Sequence, residues 1–388
     1  MFITQEIGSI QRPIWRQKLD APSNKEWIAS AVQWGEKVNV DPATITELQG
    51  ILQKDGKTRT VEEKQRIVDI ASIYVIKMFE TIGLDRVFNG EQPRTEMYDF
   101  LAQNTDGIEA AGTLNAFDAN YFKKGKITGP LSVKPKCVDF FVNEFNFVKQ
   151  HTKKTVKPCL TGPYTMADWS YIEYHRQQFE AKGETPLTAL QKGRGKAVLD
   201  FAKNVLNPIV TALAKAGAKV IQIDEPGAST NEQESELFVE AVNESFKGIP
   251  NNVEKAVHLC YSNYSALFPA LSQCTANSYL IEFTNHASPT EFKPTEVNPE
   301  SFKAIELFKE NNMEVNIGVG VIDIHSDLIE KPEAIRDRLL YAAKLIGDPA
   351  KVQVNPDCGL RTRKWEVAHS KLQNMVKGAQ LAKNEYGG

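Results

Sequence analysis

From about residue 190 to the C-terminal end, short β-branched runs alternate with longer stretches of helical period. Lys219–Ile223, Lys255–Leu259, Tyr279–Phe283, Glu314–Val319 and Val352–Val354 read as strands. Ala189–Ala216, Glu232–Phe246, Tyr264–Ser272, Glu300–Asn311, Pro332–Ile346 and Lys364–Lys383 read as helices. In Ala189–Ala216 the apolar residues Leu199, Ala202, Val205, Leu206 and Val210 recur on one face, and Gly217 follows as a C-cap. Such alternation specifies consecutive βαβ units around a parallel sheet. The first half adds strands at Phe2–Ile7, Asp85–Phe88 and Lys157–Thr161, with a long helix at Val61–Ile82. Eight strands is the number of a (β/α)8 barrel. The expected fold is therefore α/β, a TIM barrel spanning residues 1–388 as one domain. Helical segments and a Lys-rich excursion at Lys123–Lys136 are expected as insertions in its first half. A doubly wound open sheet competes, but no Gly-rich phosphate loop follows a strand.

The composition fits such a core: 41% of residues are hydrophobic and 24% charged. The formal net charge of −3 gives no pull toward nucleic acid. No apolar stretch approaches the ~18 residues of a membrane span, and Met1–Glu6 lacks the features of a signal peptide. Five cysteines, an odd number, argue against a disulfide framework and for a reducing, cytoplasmic setting.

Barrels of this kind carry their chemistry at the C-terminal ends of the strands. Those ends hold Gly8-Ser9, Asn89-Gly90-Glu91, Thr161-Gly162-Pro163, Asp224-Glu225-Pro226, His258-Leu259-Cys260, Glu282, Asp323-Ile324-His325-Ser326 and Asp357-Cys358-Gly359. His258 and Cys260 are two apart and share a strand face. With Glu282 from the next strand and Cys358 from the last, they make a donor set suited to tetrahedral Zn²⁺. The alternative is a hydrogen-bonded core histidine, two small buried thiols and a surface carboxylate.

Taken in order, these pieces resemble the catalytic barrel of the cobalamin-independent methionine synthase family. The likeness runs from Ile7-Gly8-Ser9 through Gly90-Glu91, Thr161-Gly162-Pro163, Gln222–Pro226, His258-Leu259-Cys260, Glu282 and Asp323–Ser326 to Asn355–Leu360, nearly the whole chain. It implies a methyltransferase that makes methionine from L-homocysteine. It also implies residue roles: His258, Cys260, Glu282 and Cys358 as zinc ligands, and Ser9, Glu91 and Asp224 as the holders of homocysteine. Glu91 and Asp224 suit its ammonium, and Ser9 suits its carboxylate. His325 matches the catalytic histidine that delivers a proton to the departing donor, and Trp169 the tryptophan set against the pterin.

The first matching motif already stands at Ile7, so the N-terminal barrel of full-length members is expected to be missing. The chain looks like the short, single-barrel form. On that footing a methyl-corrinoid (methylcobalamin), free or on a corrinoid protein, is expected as donor ahead of 5-methyltetrahydrofolate. Two other functions compete. One is zinc-dependent methyl transfer to another thiol such as coenzyme M, against which Ser9, Glu91 and Asp224 speak. The other is a zinc-dependent homocysteine-binding protein without turnover.

Cys137, Cys159 and Cys274 lack partners in the sequence and read as buried structural thiols. His151, His175 and His369 read as surface residues of helices. His286, four residues past Glu282, is left unassigned near the mouth, and Asp323, beside His325, is left open as well. The lysines of the excursion read as a solvated hairpin, and Arg361 and Arg363 carry no assignment.

Overall fold

The computed structural model describes residues 1–116, 120–284, 288–293 and 299–387. His286 lies outside them. All eight expected barrel strands form: β1 (Ile3–Thr4), β2 (Arg86–Val87), β3 (Thr155–Val156 with Cys159–Thr161), β4 (Val220–Asp224), β5 (Glu254–Leu259), β6 (Ser278–Ile281), β7 (Asn316–Gly320) and β8 (Val352–Asn355). Seven of them lie in the order β1-β8-β7-β6-β5-β4-β3, and β2 pairs with the start of β3. A parallel bridge between Gln5 and Arg86 joins β1 to β2 and closes the ring. β3 falls into two pieces because Pro158 has no N–H to give. Lys157 still donates to the Val87 carbonyl at 3.0 Å, and the Pro158 carbonyl still accepts from Gln222 at 3.0 Å.

The register fixes which residues share the mouth of the barrel. Thr161 pairs with Asp224, Asp224 with His258, and His258 with Leu280. These C-terminal ends lie side by side, so residues scattered along the chain face one space. The other end is closed by polar side chains. Arg86 forms a double contact with Glu254 at 2.8 and 2.6 Å. Gln353 donates to Glu254 at 2.8 Å and accepts from Gln5 at 2.8 Å.

Outside the ring, helices bury their apolar faces. The Val61–Ile82 helix starts in a capping box of Thr60 with Glu63 and ends at Gly83 with φ +96°. Trp34 meets Trp365 edge to face at 5.3 Å, which ties the early helices to the last one, Trp365–Tyr386. The helix expected at Ala189–Ala216 spans Pro186–Lys215, with a π-turn at Ala202–Leu206. Its length and mean hydropathy would suit a membrane span, but charged and polar residues interrupt it and half of its most apolar window is buried inside the protein, in keeping with the sequence expectation. That makes it a core helix.

The Lys-rich excursion is the second strand of a long hairpin, Thr105–Ala116 with Asn120–Val133. Its first strand has few β-branched residues, so the sequence does not announce it. The hairpin is anchored where Gly125 pairs with Ser170, next to the loop that follows β3.

Candidate active site

A cavity of about 210 Å³ opens at the C-terminal ends of the strands. Ser9, Glu91, Asp224, His258, Cys260 and Cys358 all line it. Six of the expected site residues are thus brought together by the fold.

On one side, His258 and Cys260 of the β5 end meet Cys358 from beyond β8. The His258 Nε2 lies 3.4 Å from the Cys358 Sγ, and the two sulfurs lie 3.8 Å apart. Two sulfurs at about 2.3 Å and a nitrogen at about 2.0 Å from one tetrahedral ion stand about 3.8 Å (S···S) and 3.6 Å (N···S) apart. The donor set therefore fits such an ion. The Leu280 carbonyl can only accept, and it takes a hydrogen bond from His258 Nδ1 at 3.0 Å. This is the outer contact that fixes the ring of a metal-binding histidine. The hydrogen bond with Cys260, and next to it the His258 ring, hold the Cys358 thiol well below its usual range. A thiolate is the ligating form.

Glu282 is 8% exposed and follows β6. It stands outside the tight group of His258, Cys260 and Cys358, but its charge, after the Cys358 contact and burial, helps push the Cys260 thiol up. The loop carrying it is held by Asp357, which accepts from Phe283 N at 2.9 Å and Thr284 N at 3.1 Å. Behind Cys358, a Cβ on Gly359 would meet the nitrogen, oxygen and Oγ of Ser9 at 3.1 Å. Glycine there lets the β8 end approach the β1 end.

On the other side, Glu91 and Asp224 face Cys159. Glu91 sits at φ +58° after Gly90 at φ +61°. Such a bend costs a non-glycine residue free energy and aims its carboxylate inward. The Cys159 thiol donates to Glu91 Oε1 at 3.2 Å, and Arg94 donates to the same oxygen at 3.2 Å. Gln222 donates to Asp224 at 2.5 Å. Burial raises the Asp224 carboxyl to about 6, and Glu91 adds to the rise. Burial and then Glu91 push the Cys159 thiol well above its usual range, so it stays protonated and acts as a donor. This corrects the sequence reading of Cys159 as a partnerless structural thiol. The signal was its spacing of two from Thr161, which puts both on one strand face.

Glu225 of the Asp224-Glu225-Pro226 motif is a scaffold. It caps the short Pro163–Asp168 helix, accepting from Tyr164 N at 2.9 Å and Thr165 N at 2.8 Å. A Cβ on Gly162 would strike its carboxylate, which explains the glycine of Thr161-Gly162-Pro163.

His325 does not line the cavity; it is half-buried, with its ring edge to face against Tyr261, which does, at 5.7 Å. Its Nε2 lies 3.4 Å from the Tyr261 hydroxyl. Asp323 accepts from the His325 backbone N–H at 2.7 Å, so it shapes the loop. Trp169 does not line the cavity. It is 5% exposed and lies behind Phe122, ring to ring at 5.0 Å, while Phe122 of the hairpin faces the space.

His175 and His369, read as surface residues, are buried. His175 contacts Asp200 at 2.9 Å, and His369 lies against Trp34.

Residues 43–381 match the family model described as the catalytic domain of the cobalamin-independent synthase. The chain is similar to the methionine synthase of Thermoplasma volcanium, 33% identical over 340 residues, covering 84% of this chain and 91% of that protein. It is 35% identical to the methionine synthase of Sulfurisphaera tokodaii over 339 residues, covering 86% and 87%. Its fold matches a B12-independent methionine synthase from Shewanella sp. W3-18-1, solved with selenomethionine. The TM-score is 0.73 at 23% identity, over 100% of this chain and 99% of that one. These matches bear out the TIM barrel and the resemblance. The family's description as cobalamin-independent speaks against the expected methyl-corrinoid donor.

Proposed function

The chain belongs to the cobalamin-independent synthase family and is a methyltransferase, and we propose that it methylates the thiol of L-homocysteine to form methionine. The observation that carries this reading is one small cavity with soft donors on one wall and buried carboxylates on the other. Homocysteine has a thiol at one end and an ammonium at the other. Glu91 and Asp224 take the ammonium, and Ser9 takes the carboxylate. That leaves the sulfur toward His258, Cys260 and Cys358. A volume near 210 Å³ is below the roughly 300–1,000 Å³ typical of sites for larger ligands. The acceptor fills it, and the donor must approach from the open rim.

His258, Cys260 and Cys358, with Glu282 beside Cys260, would hold Zn²⁺. When bound, the ion would lower the pKa of the substrate thiol and keep it in its nucleophilic form at neutral pH. The protein's own groups orient that sulfur. Positioning of this kind is worth roughly 7–11 kcal/mol of barrier. The donor in this reading is 5-methyltetrahydrofolate. Its departing nitrogen needs a proton, which His325, against the cavity-lining Tyr261, would deliver. Phe122, with Trp169 behind it, offers the pterin an aromatic face. Residues 1–388 act as one catalytic barrel. The five free cysteines suit a reducing, cytoplasmic setting.

The test is purified zinc-loaded protein with homocysteine and 5-methyltetrahydrofolate, scored for methionine by mass spectrometry. No methionine from that pair overturns the reading. Methylation of coenzyme M in place of homocysteine would favour the other thiol acceptor.

A further inference from the structure

The bend that aims Glu91 into the cavity is held by a closed ring of side chains reaching outside the barrel. The Glu91 backbone N–H donates to Asn89 Oδ1 at 3.0 Å. Asn89 Nδ2 donates to Glu144 Oε1 at 2.9 Å. Glu144 Oε2 accepts from Arg94 at 2.7 and 3.2 Å. Arg94 returns to Glu91 Oε1 at 3.2 Å and ties itself to the Cys159 carbonyl at 2.8 Å. Arg94 and Glu144 are 5% and 6% exposed. Glu144 sits on the Pro135–His151 helix and does not line the cavity. The Arg94 guanidinium also lies over the Phe141 ring at 4.9 Å, which limits its movement.

A left-handed, non-glycine residue persists only where its surroundings over-determine it. Here they do so twice, through the Glu91 backbone and through its carboxylate. The ring also leaves the second oxygen, Oε2, with no hydrogen bond to any described side chain, so Oε2 is the one left for a ligand. We propose that Asn89, Arg94 and Glu144 are positioning residues that fix the Glu91 carboxylate for the substrate's ammonium, and so select amino-acid thiols over thiols without an amino group. The proposal rests on the homocysteine reading above.

The experiment compares two probes by calorimetric titration of zinc-loaded protein. One is L-homocysteine. The other is 4-mercaptobutanoate, which keeps the thiol and carboxylate and lacks the amino group. The variant is Arg94→Met with Glu144→Leu, which removes both buried charges together and so avoids stranding one of them. Homocysteine affinity is expected to fall by about tenfold to a hundredfold, the worth of a charge-assisted hydrogen bond. Affinity for 4-mercaptobutanoate and zinc content should change by less than about twofold, since neither uses Glu91. An equal loss for both probes, or unchanged homocysteine affinity in the folded variant, overturns the proposal. Should the double variant fail to fold, Glu144→Gln, which keeps the shape, removes the charge facing Arg94 and leaves one amide oxygen where Asn89 and Arg94 both donate, is expected to lower homocysteine affinity more than 4-mercaptobutanoate affinity, and an equal change for both overturns the proposal. Wild-type protein that binds neither probe, or both equally, overturns the acceptor assignment instead.

Discussion

His258, Cys260 and Cys358 on one wall of the cavity, and Glu91 and Asp224 on the other with Cys159 buried against Glu91, are equally tight groups. In each, every potential ligating atom lies within 4.8 Å of the others. Their surroundings separate them. The second group already has its counter-charges: Arg94 binds Glu91, and Lys157 binds Gln222, which in turn binds Asp224. Among the described residues, no lysine or arginine forms an ion pair or hydrogen bond with the first group. One of its two thiols responds differently too, while Cys260 is pushed up. Cys358 is held down by Cys260 and His258, whereas Cys159 is pushed up by burial and Glu91. Distance alone does not make a metal centre. In the proposed function the soft donors, with a ready thiolate and no competing cation, would hold the metal, and the compensated carboxylates would seat the ammonium.

The difference breaks most sharply at Cys358. Cys358→Ser should take zinc from about one per chain to near zero, read by metal analysis after dialysis. Methionine formation should fall at least about a thousandfold, as expected when a metal that stabilises the reacting thiolate is lost. Glu91 and the opposite wall stay intact in that variant. Retained zinc would move the metal to the second group and undo the assignment of the two walls.

A smaller effect is expected at Glu91. Glu91→Gln keeps the shape and removes the charge, so the homocysteine KM should rise by about tenfold to a hundredfold with zinc content unchanged. The rate at saturating homocysteine should change little, because the lost contact binds ground state and transition state alike. A fall in the rate at saturation, with KM constant, would place Glu91 in the chemistry rather than in binding.

The same contrast explains how far the sequence could be read. The gathering of the soft-donor wall is legible because His258 and Cys260 share a strand face and because each strand end is marked by a β-branched run. The carboxylate wall is legible only in part. Glu91 and Asp224 end strands, but Cys159 hides between Pro158 and Leu160, and its partner Glu91 lies 68 residues away. Arg94 and Glu144 are 50 residues apart and meet only because a helix docks on the barrel where the second strand ends. Trp169 lies off the cavity for a related reason. The loop bearing it runs under a hairpin whose first strand has no β pattern, so the ring facing the cavity is Phe122. His175 and His369 sit on helix faces turned inward, where Asp200 and Trp34 are their partners.

Cys159 gives the finest division between the walls. As a protonated donor it contributes one weak hydrogen bond to Glu91, because a thiol is a poor donor compared with a guanidinium. Arg94 still holds the same oxygen when the sulfur is gone. Cys159→Ala should therefore raise the homocysteine KM by only about twofold to threefold. It should also cost about 1 kcal/mol of stability through the small void left in a fully buried site, read as a lower midpoint in urea. Zinc content should remain at one per chain. If the second group bound a metal, the wild-type protein would carry two, and removing this thiol would lower the count to one while leaving the first wall occupied. Metal analysis of the two proteins side by side distinguishes a seat for an ammonium from a second metal centre.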